Sequence, residues 1–215
     1  EGTLGIITAA VLKLFPLPTA RETAWIAVDT PAAGVALLGQ LKEKLGDTIS
    51  AFELICRQIV DVLIENVPGH ENPMREAHPW YVLMDVSSQG APGSLQDPLS
   101  EALGAAMEAG LVRDAIIASS EAQAGKLWRM REDMAIAQQK AGGTISHDVS
   151  VPVSKVADFI AAADAALEQA YPGIRHCAFG HVGDGNIHYN PIRPLNWSYE
   201  RYMAEFAKVN AIVHD

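Results

Sequence analysis

Ala24-Trp25-Ile26-Ala27-Val28-Asp29-Thr30-Pro31, with the periodic run that follows it to Leu45 and Gly46, is the unit whose repetition decides the fold. Ala24 to Val28 reads as a strand. Thr30 can cap a helix with its hydroxyl, Pro31 suits the first helical position, where its missing N–H costs nothing, and Gly46 closes the helix over 31–45. The alternation then recurs. Ile49 to Leu54 predicts a strand running into a helix near 55–65, and 68–79 is a loop rich in Pro, Gly, Asn and His. Trp80 to Val86 is strand-like, 98–109 helical and 112–118 strand-like, which fits a split βαβ sandwich of ferredoxin type. A helical pattern over 120–140 ends at Gly142-Gly143. Strands at 144–151, 175–180 and 186–190, a helix over 154–170 and a last helix from Ser198 imply a second βαβ unit with a hairpin. The expected class is α+β: duplicated ferredoxin-like βαβ units forming one mainly antiparallel sheet with helices on one face.

Outward from this frame, the N-terminal Glu1-Gly2-Thr3-Leu4-Gly5-Ile6-Ile7-Thr8 reads as a Gly turn and strand. Phe15-Pro16-Leu17-Pro18 is a stiff connector and the best boundary, because two prolines fix φ and remove donors. The absence of an initial Met and an amphipathic stripe still running at 203–213 suggest a piece of a longer polypeptide, truncated at its C-terminus.

Composition narrows the function classes. The 215 residues are 49% hydrophobic, enough to fill a sizeable core. With 26 acidic against 16 basic side chains the net charge is −10, which disfavours a broad contact with nucleic acid or an anionic membrane. An anionic substrate would need locally placed Arg, Lys or metal. Only two cysteines are present, Cys56 and Cys177, too few for a disulfide framework, and both read as buried small hydrophobes. No apolar run reaches bilayer-spanning length and no signal segment is visible, so the expected location is cytoplasmic. No Gly-rich dinucleotide fingerprint and no phosphate-binding Gly-Lys-Ser/Thr loop occurs.

The stretch richest in chemistry is Gly180-His181-Val182-Gly183-Asp184-Gly185-Asn186-Ile187-His188-Tyr189-Asn190. With Asp184-Gly185 at the centre of a type I′ turn, His181 and His188 face one another across a hairpin. Their Cβ atoms would then lie roughly 4.5–5.5 Å apart, within reach of one metal ion. Asn190, two residues on, shares that face. Spacing alone leaves open a polar hairpin with solvated imidazoles, since metal sites usually carry three or four protein ligands. In Leu127-Trp128-Arg129-Met130-Arg131-Glu132 the two arginines lie on different helix faces, so one at most points into a given pocket. Solvated pairing with Glu132 or Asp133 is the plainer reading, and a guanidinium fork for a carboxylate the sharper one. His147 and Asp148 should point to opposite faces. His70, His78 and His176 have no matching partner and read as solvated; Glu53 and Glu65 read as structural or exposed.

Taken together, these residues resemble the flavoproteins of the vanillyl-alcohol oxidase type, specifically the group containing D-lactate dehydrogenases, glycolate oxidase subunits and D-2-hydroxyglutarate dehydrogenases. Residues 1–20 resemble the last piece of the FAD-binding domain, and 21–215 the C-terminal substrate, or cap, domain. The carriers are Gly180-His181-x-Gly183-Asp184-Gly185-Asn186-x-His188-x-Asn190, then Leu127-Trp128-x-x-Arg131-Glu132, then Asp148-Val149-Ser150-Val151-Pro152. The resemblance implies that His181 and His188 bind a divalent metal, usually Zn2+, and that Arg131 and Asn190 hold substrate. It implies that Glu1, Gly2, Thr3, Leu4, Gly5, Ile6 and Ile7 lie against FAD, most of whose site belongs to the preceding domain. The family takes a third metal ligand and a candidate base from an Ala-Glu-His-Gly motif, which does not occur in these residues, so no catalytic base is assigned here. Ser146 and Ala135 stand where some relatives have Lys and Thr, which leaves the acid open. The implied reaction is oxidation of a D-2-hydroxy acid to the 2-oxo acid, with D-2-hydroxyglutarate ahead of D-lactate and glycolate. Metal-assisted deprotonation accompanies hydride transfer to FAD, and an electron acceptor of unspecified identity reoxidises the flavin. The isolated chain is expected to be inactive, and a homodimer is compatible with this reading. The rival reading is a non-catalytic ferredoxin-like module binding small acids or a partner chain.

Overall fold

The computed structural model describes residues 5–215. Seven strands form one sheet in which every neighbouring pair is antiparallel: β1 (Ala20–Val28), β2 (Ile49–Cys56), β3 (Trp80–Ser88), β4 (Asp114–Ile117), β5 (Asp148–Ser150), β6 (Ala178–His181) and β7 (Asn186–Tyr189), in the order β4-β1-β3-β2-β6-β7-β5. The helices are α1 (Pro31–Leu45), α2 (Arg57–Asn66), α3 (Gln96–Glu108), α4 (Glu121–Lys140), α5 (Val156–Ala170), α6 (Tyr199–Met203) and α7 (Phe206–His214). Strands joined through α1, α3 and α5 each leave room for one antiparallel strand between them, so split βαβ units build the whole sheet. The α+β class is the expected one. No helix is long and apolar enough to cross a membrane among the described residues.

Local chemistry sets the element ends. Thr30 Oγ1 accepts from Ala33 N at 3.1 Å, Pro31 opens α1, and Gly46 follows its last residue with φ 57°. Ser120 Oγ caps α4 by accepting from Gln123 N. The expected final helix is two pieces, α6 and α7, interrupted at Ala204 and Glu205.

Strand alternation divides the core between the two faces of the sheet. Ala24, Ile26 and Val28 of β1 pack with α1, α3, α5 and α7, the expected helical layer. Trp25 and Ala27 point the other way, where α2 and α4 form a second, smaller layer over Ile55, Tyr81, Leu83 and Phe179. In α4, Leu127, Met130, Met134 and Ala137 make the buried stripe, at helical spacing. Polar side chains bound this second face: Thr23 and Asp85, paired across β1 and β3, then Glu53 and His181, paired across β2 and β6.

The expected N-terminal strand is not formed over Gly5 to Thr8. Gly5 to Pro18 have no regular structure and Ile6 and Ile7 are exposed, because no sheet edge among the described residues satisfies their backbone groups. Glu1, Gly2, Thr3 and Leu4 lie outside the described residues.

Candidate functional site

The two histidines reach a common place by a route that differs from the expected turn. A type I′ turn needs positive φ at both central residues, and no residue other than glycine has positive φ here. Val182–Asp184 instead form a single 3-10 turn, Asp184 Oδ1 accepts from Asn186 N at 3.1 Å, and Gly185 alone turns the chain with φ 78°. The ladder therefore pairs Phe179 with His188, while His181 pairs with Glu53 of β2. The register is displaced by two residues, and a displacement of two keeps every side chain on its face. His181 and His188 end diagonally related with ring centroids 5.7 Å apart and planes at 75°. Gly180 and Gly185 permit this closure: a Cβ on Gly180 would lie 2.6 Å from Asn186 O, and one on Gly185 1.9 Å from Val151 O.

Each imidazole is held at Nδ1 by a carboxylate. His181 Nδ1 contacts Glu53 Oε1, and His188 Nδ1 lies 3.2 Å from Asp148 Oδ1 across the β5–β7 pair. Burial, and next the Arg131 guanidinium, hold the His188 imidazole below its usual pKa against the opposing pull of Asp148. This environment favours the neutral imidazole, the form that ligates a metal.

Arg131 completes the group. Its Nε donates to Glu53 Oε2 at 2.8 Å, its guanidinium carbon stands 4.8 Å from the centroid of the Phe179 ring, and its side chain is 14% exposed. The expected pairing with Glu132 or Asp133 does not occur: Asp133 binds His70 at 2.8 Å, and Arg129 is exposed on the other side of α4. Trp128, one turn earlier on the same helix face, donates from Nε1 to Asp85 Oδ1 at 3.1 Å. Two buried carboxylates, Asp85 and Glu53, thereby fix the rotation of α4 that points Arg131 at the histidines.

Glu53 is the residue that sequence reading passed over. Its side chain is 3% exposed, yet it touches both Arg131 and His181. An acid inside the apolar run Phe52-Glu53-Leu54 was the available signal, because a buried carboxylate requires partners. Asn190 shares the face but is spent on the fold: Oδ1 accepts from His147 N at 2.9 Å and Nδ2 donates to Gln138 at 3.2 Å. The three histidines expected to be solvated are not. His70 pairs with Asp133, His176 lies 3.2 Å from Asp164 and 3.4 Å from Glu168, and His78 Nε2 is buried without a partner among the described residues. His147 and Asp148 do diverge, His147 being buried between Tyr189 O and Asn210. An open groove of 520 Å3, lined by Tyr171, Trp197, Glu205 and Lys208, belongs to the opposite layer and shares none of these residues.

Among the described residues no three His, Cys, Asp or Glu side chains are disposed to hold a metal ion. The pair itself suits part of a metal site. A carboxylate on Nδ1 leaves Nε2 as the lone-pair nitrogen, the arrangement common around metal-ligating histidines.

A seven-stranded α+β domain carrying a histidine pair, a part-buried arginine and a buried carboxylate between them on one sheet face is the class these observations define. Residues 17–215 match the family described as FAD linked oxidases, C-terminal domain, and the chain belongs to that family. It is 31% identical over 215 residues to the D-2-hydroxyglutarate dehydrogenase of Xanthomonas citri pv. viticola, a match covering 99% of this chain and 44% of that protein. It is 30% identical over 190 residues to the mitochondrial D-2-hydroxyglutarate dehydrogenase of Arabidopsis thaliana, covering 88% of this chain and 33% of the relative. The chain thus spans less than half the length of these relatives. In fold it is similar to p-cresol methylhydroxylase, with a TM-score of 0.63 at 11% identity over 92% of this chain and 43% of the other. It also resembles alkyldihydroxyacetonephosphate synthase, with a TM-score of 0.58 at 15% identity over 99% and 41%.

Proposed function

We propose that this chain is the substrate-binding domain of a flavin-dependent dehydrogenase of D-2-hydroxy acids, with D-2-hydroxyglutarate the preferred acid and D-lactate and glycolate next. The observation that carries the reading is Arg131, a part-buried cation anchored through Nε beside two histidines whose Nδ1 atoms are both occupied by carboxylates. The names of the relatives favour hydroxyglutarate. Family membership favours an enzyme over a bare binding module.

Each side chain has a definable task. With Nε committed to Glu53, Arg131 offers its terminal nitrogens to a substrate carboxylate as a planar fork. That local charge is what a protein of net charge −10 needs to hold an anion. His181 and His188 would hold a divalent metal, zinc first, through Nε2, with a further ligand required from elsewhere. Bound there, such a metal supplies a Lewis acid for the 2-hydroxyl, and FAD supplies the hydride acceptor. The domain's own contribution is orientation: acid and hydroxyl held in one pose by rigid strands and one helix face. An electron acceptor, not identified by these residues, would then reoxidise the flavin.

The test is dye reduction by the whole protein loaded with FAD and Zn2+, supplied with D-2-hydroxyglutarate, D-lactate or glycolate. Turnover with the first and loss of it in His181→Ala and His188→Ala is expected. No reduction with any of the three acids would sink the proposal.

A further inference from the structure

We infer that Glu53 is the positioning residue of this site, one buried carboxylate that aims both an acid-binding group and a ligand-binding nitrogen. The inference rests on the proposed reading of the site but is carried by geometry within the chain. Oε2 receives Arg131 Nε at 2.8 Å, Oε1 receives His181 Nδ1, and the Glu53 side chain is 3% exposed. The two partners come from elements remote in sequence, α4 and the end of β6, and Glu53 faces His181 directly in the β2–β6 register.

The choice of atoms has consequences. A neutral imidazole carries one proton, so a carboxylate fixed at Nδ1 draws that proton there and leaves the Nε2 lone pair exposed. A guanidinium bound through Nε keeps its terminal nitrogens for another anion. Among the described residues Arg131 Nη1 and Nη2 and His181 Nε2 have no hydrogen-bond partner. His181 is half-exposed while Glu53 is buried, so the carboxylate holds from the core side an imidazole that solvent reaches. Burying this acid is costly unless it is paired, and the sheet position it occupies lies in line with Trp25 and Leu83, where an apolar residue would serve packing alone. The neighbouring carboxylate that anchors α4, Asp85, is fully committed to Arg21, Thr23 and Trp128. Glu53 is the carboxylate that touches both α4, through Arg131, and the hairpin, through His181.

The experiment uses the 215-residue chain and three readouts: imidazole 15N shifts of His181 at a pH where it is neutral, Co2+ titration, and D-2-hydroxyglutarate titration in the presence of Co2+. The expected wild-type His181 is the Nδ1–H tautomer. Glu53→Gln should shift it toward Nε2–H and weaken Co2+ and acid binding by about 10- to 100-fold, the usual cost of removing a group that orients a metal-binding histidine. Glu53→Asp should recover part of the affinity. A wild-type His181 already in the Nε2–H form overturns the inference, whether or not the variants fold. So does a Glu53→Gln protein with unchanged tautomer and unchanged affinities, which would leave the substrate-domain reading standing. A wild type with the Nδ1–H tautomer that binds neither Co2+ nor acid supports the positioning geometry while refuting the metal and substrate reading it was meant to serve.

Discussion

Replacing Gly185 by Ala should destabilise the hairpin and the β5 strand packed on it. Gly185 has φ 78°, and an added Cβ would stand 1.9 Å from Val151 O and 3.1 Å from Val151 C. A left-handed conformation costs an L-residue about 1–2 kcal/mol. The clash is with main chain, so no rotamer change relieves it; β5 has to move, and the bond from Val151 N to Gly185 O at 3.1 Å goes with it, about 1 kcal/mol more. The total is about 2–3 kcal/mol. With a urea m value of about 3 kcal/mol/M for a chain of this size, the unfolding midpoint should fall by about 1 M. Gly183 is the control: its φ is not in the left-handed region and nothing lies within 4 Å of its added Cβ, so Gly183→Ala should stay within about 0.5 kcal/mol. The assay is urea unfolding followed by tryptophan fluorescence for both variants. Equal midpoints for Gly185→Ala and Gly183→Ala would refute the argument that a single left-handed glycine closes the hairpin.

Arg131→Met removes one of the two partners of the buried Glu53 carboxylate, leaving His181, and should cost about 3 kcal/mol of stability, the lower end for breaking a buried pair, whereas Arg129→Ala, on the exposed side of α4, should stay within about 0.5 kcal/mol; similar losses in chemical denaturation would remove the distinction drawn between the two arginines. Burial depresses the His176 pKa, but Asp164 and Glu168 outweigh it and raise it above 6.5. A histidine raised on folding adds stability that is complete below its unfolded pKa and disappears as pH climbs through the folded value. Unfolding midpoints should therefore decline from pH 6 toward pH 8 more steeply in wild type than in His176→Gln, and parallel profiles would contradict the pairing. Cys56 and Cys177 are buried against each other, Cys56 Sγ accepting from Ala178 N at 3.3 Å; thiol reagents should label neither in the folded protein and both in denaturant, and prompt native labelling would show the β2–β6 junction to be open.

How much of this was legible in the sequence depends on how local the cause is. The start and end of α1 follow from Thr30, Pro31 and Gly46, three residues acting on their own backbone, and the structure has the helix where they put it. The strand grammar likewise conveys the antiparallel sheet, because alternation along β1 separates Trp25 and Ala27 from Ile26 and Val28. The hairpin was half legible. Asp184-Gly185 signals a reversal, but Asp184 caps Asn186 rather than adopting positive φ, and that side-chain choice moves the register by two. The histidines remain on one face because two is the period of a strand. The partners of Glu53, His70 and His176 were not legible: the acid in the apolar run Phe52-Glu53-Leu54 signals that Glu53 needs a partner but not which one, Arg131 lying 78 positions away, and no spacing rule links residues that meet only after the sheet and α4 have assembled. Asn190 sits on the expected face, with one bond from each amide atom already made to the fold, to His147 and Gln138.

The most direct measurement of the central claim is a 1H–15N titration of D-2-hydroxyglutarate into the chain in the presence of Zn2+. The account predicts the largest shifts at Glu53, Arg131, His181 and His188, and their loss in His188→Ala. Shifts centred instead on the groove of Tyr171 and Trp197, or shifts that survive His188→Ala unchanged, would contradict it.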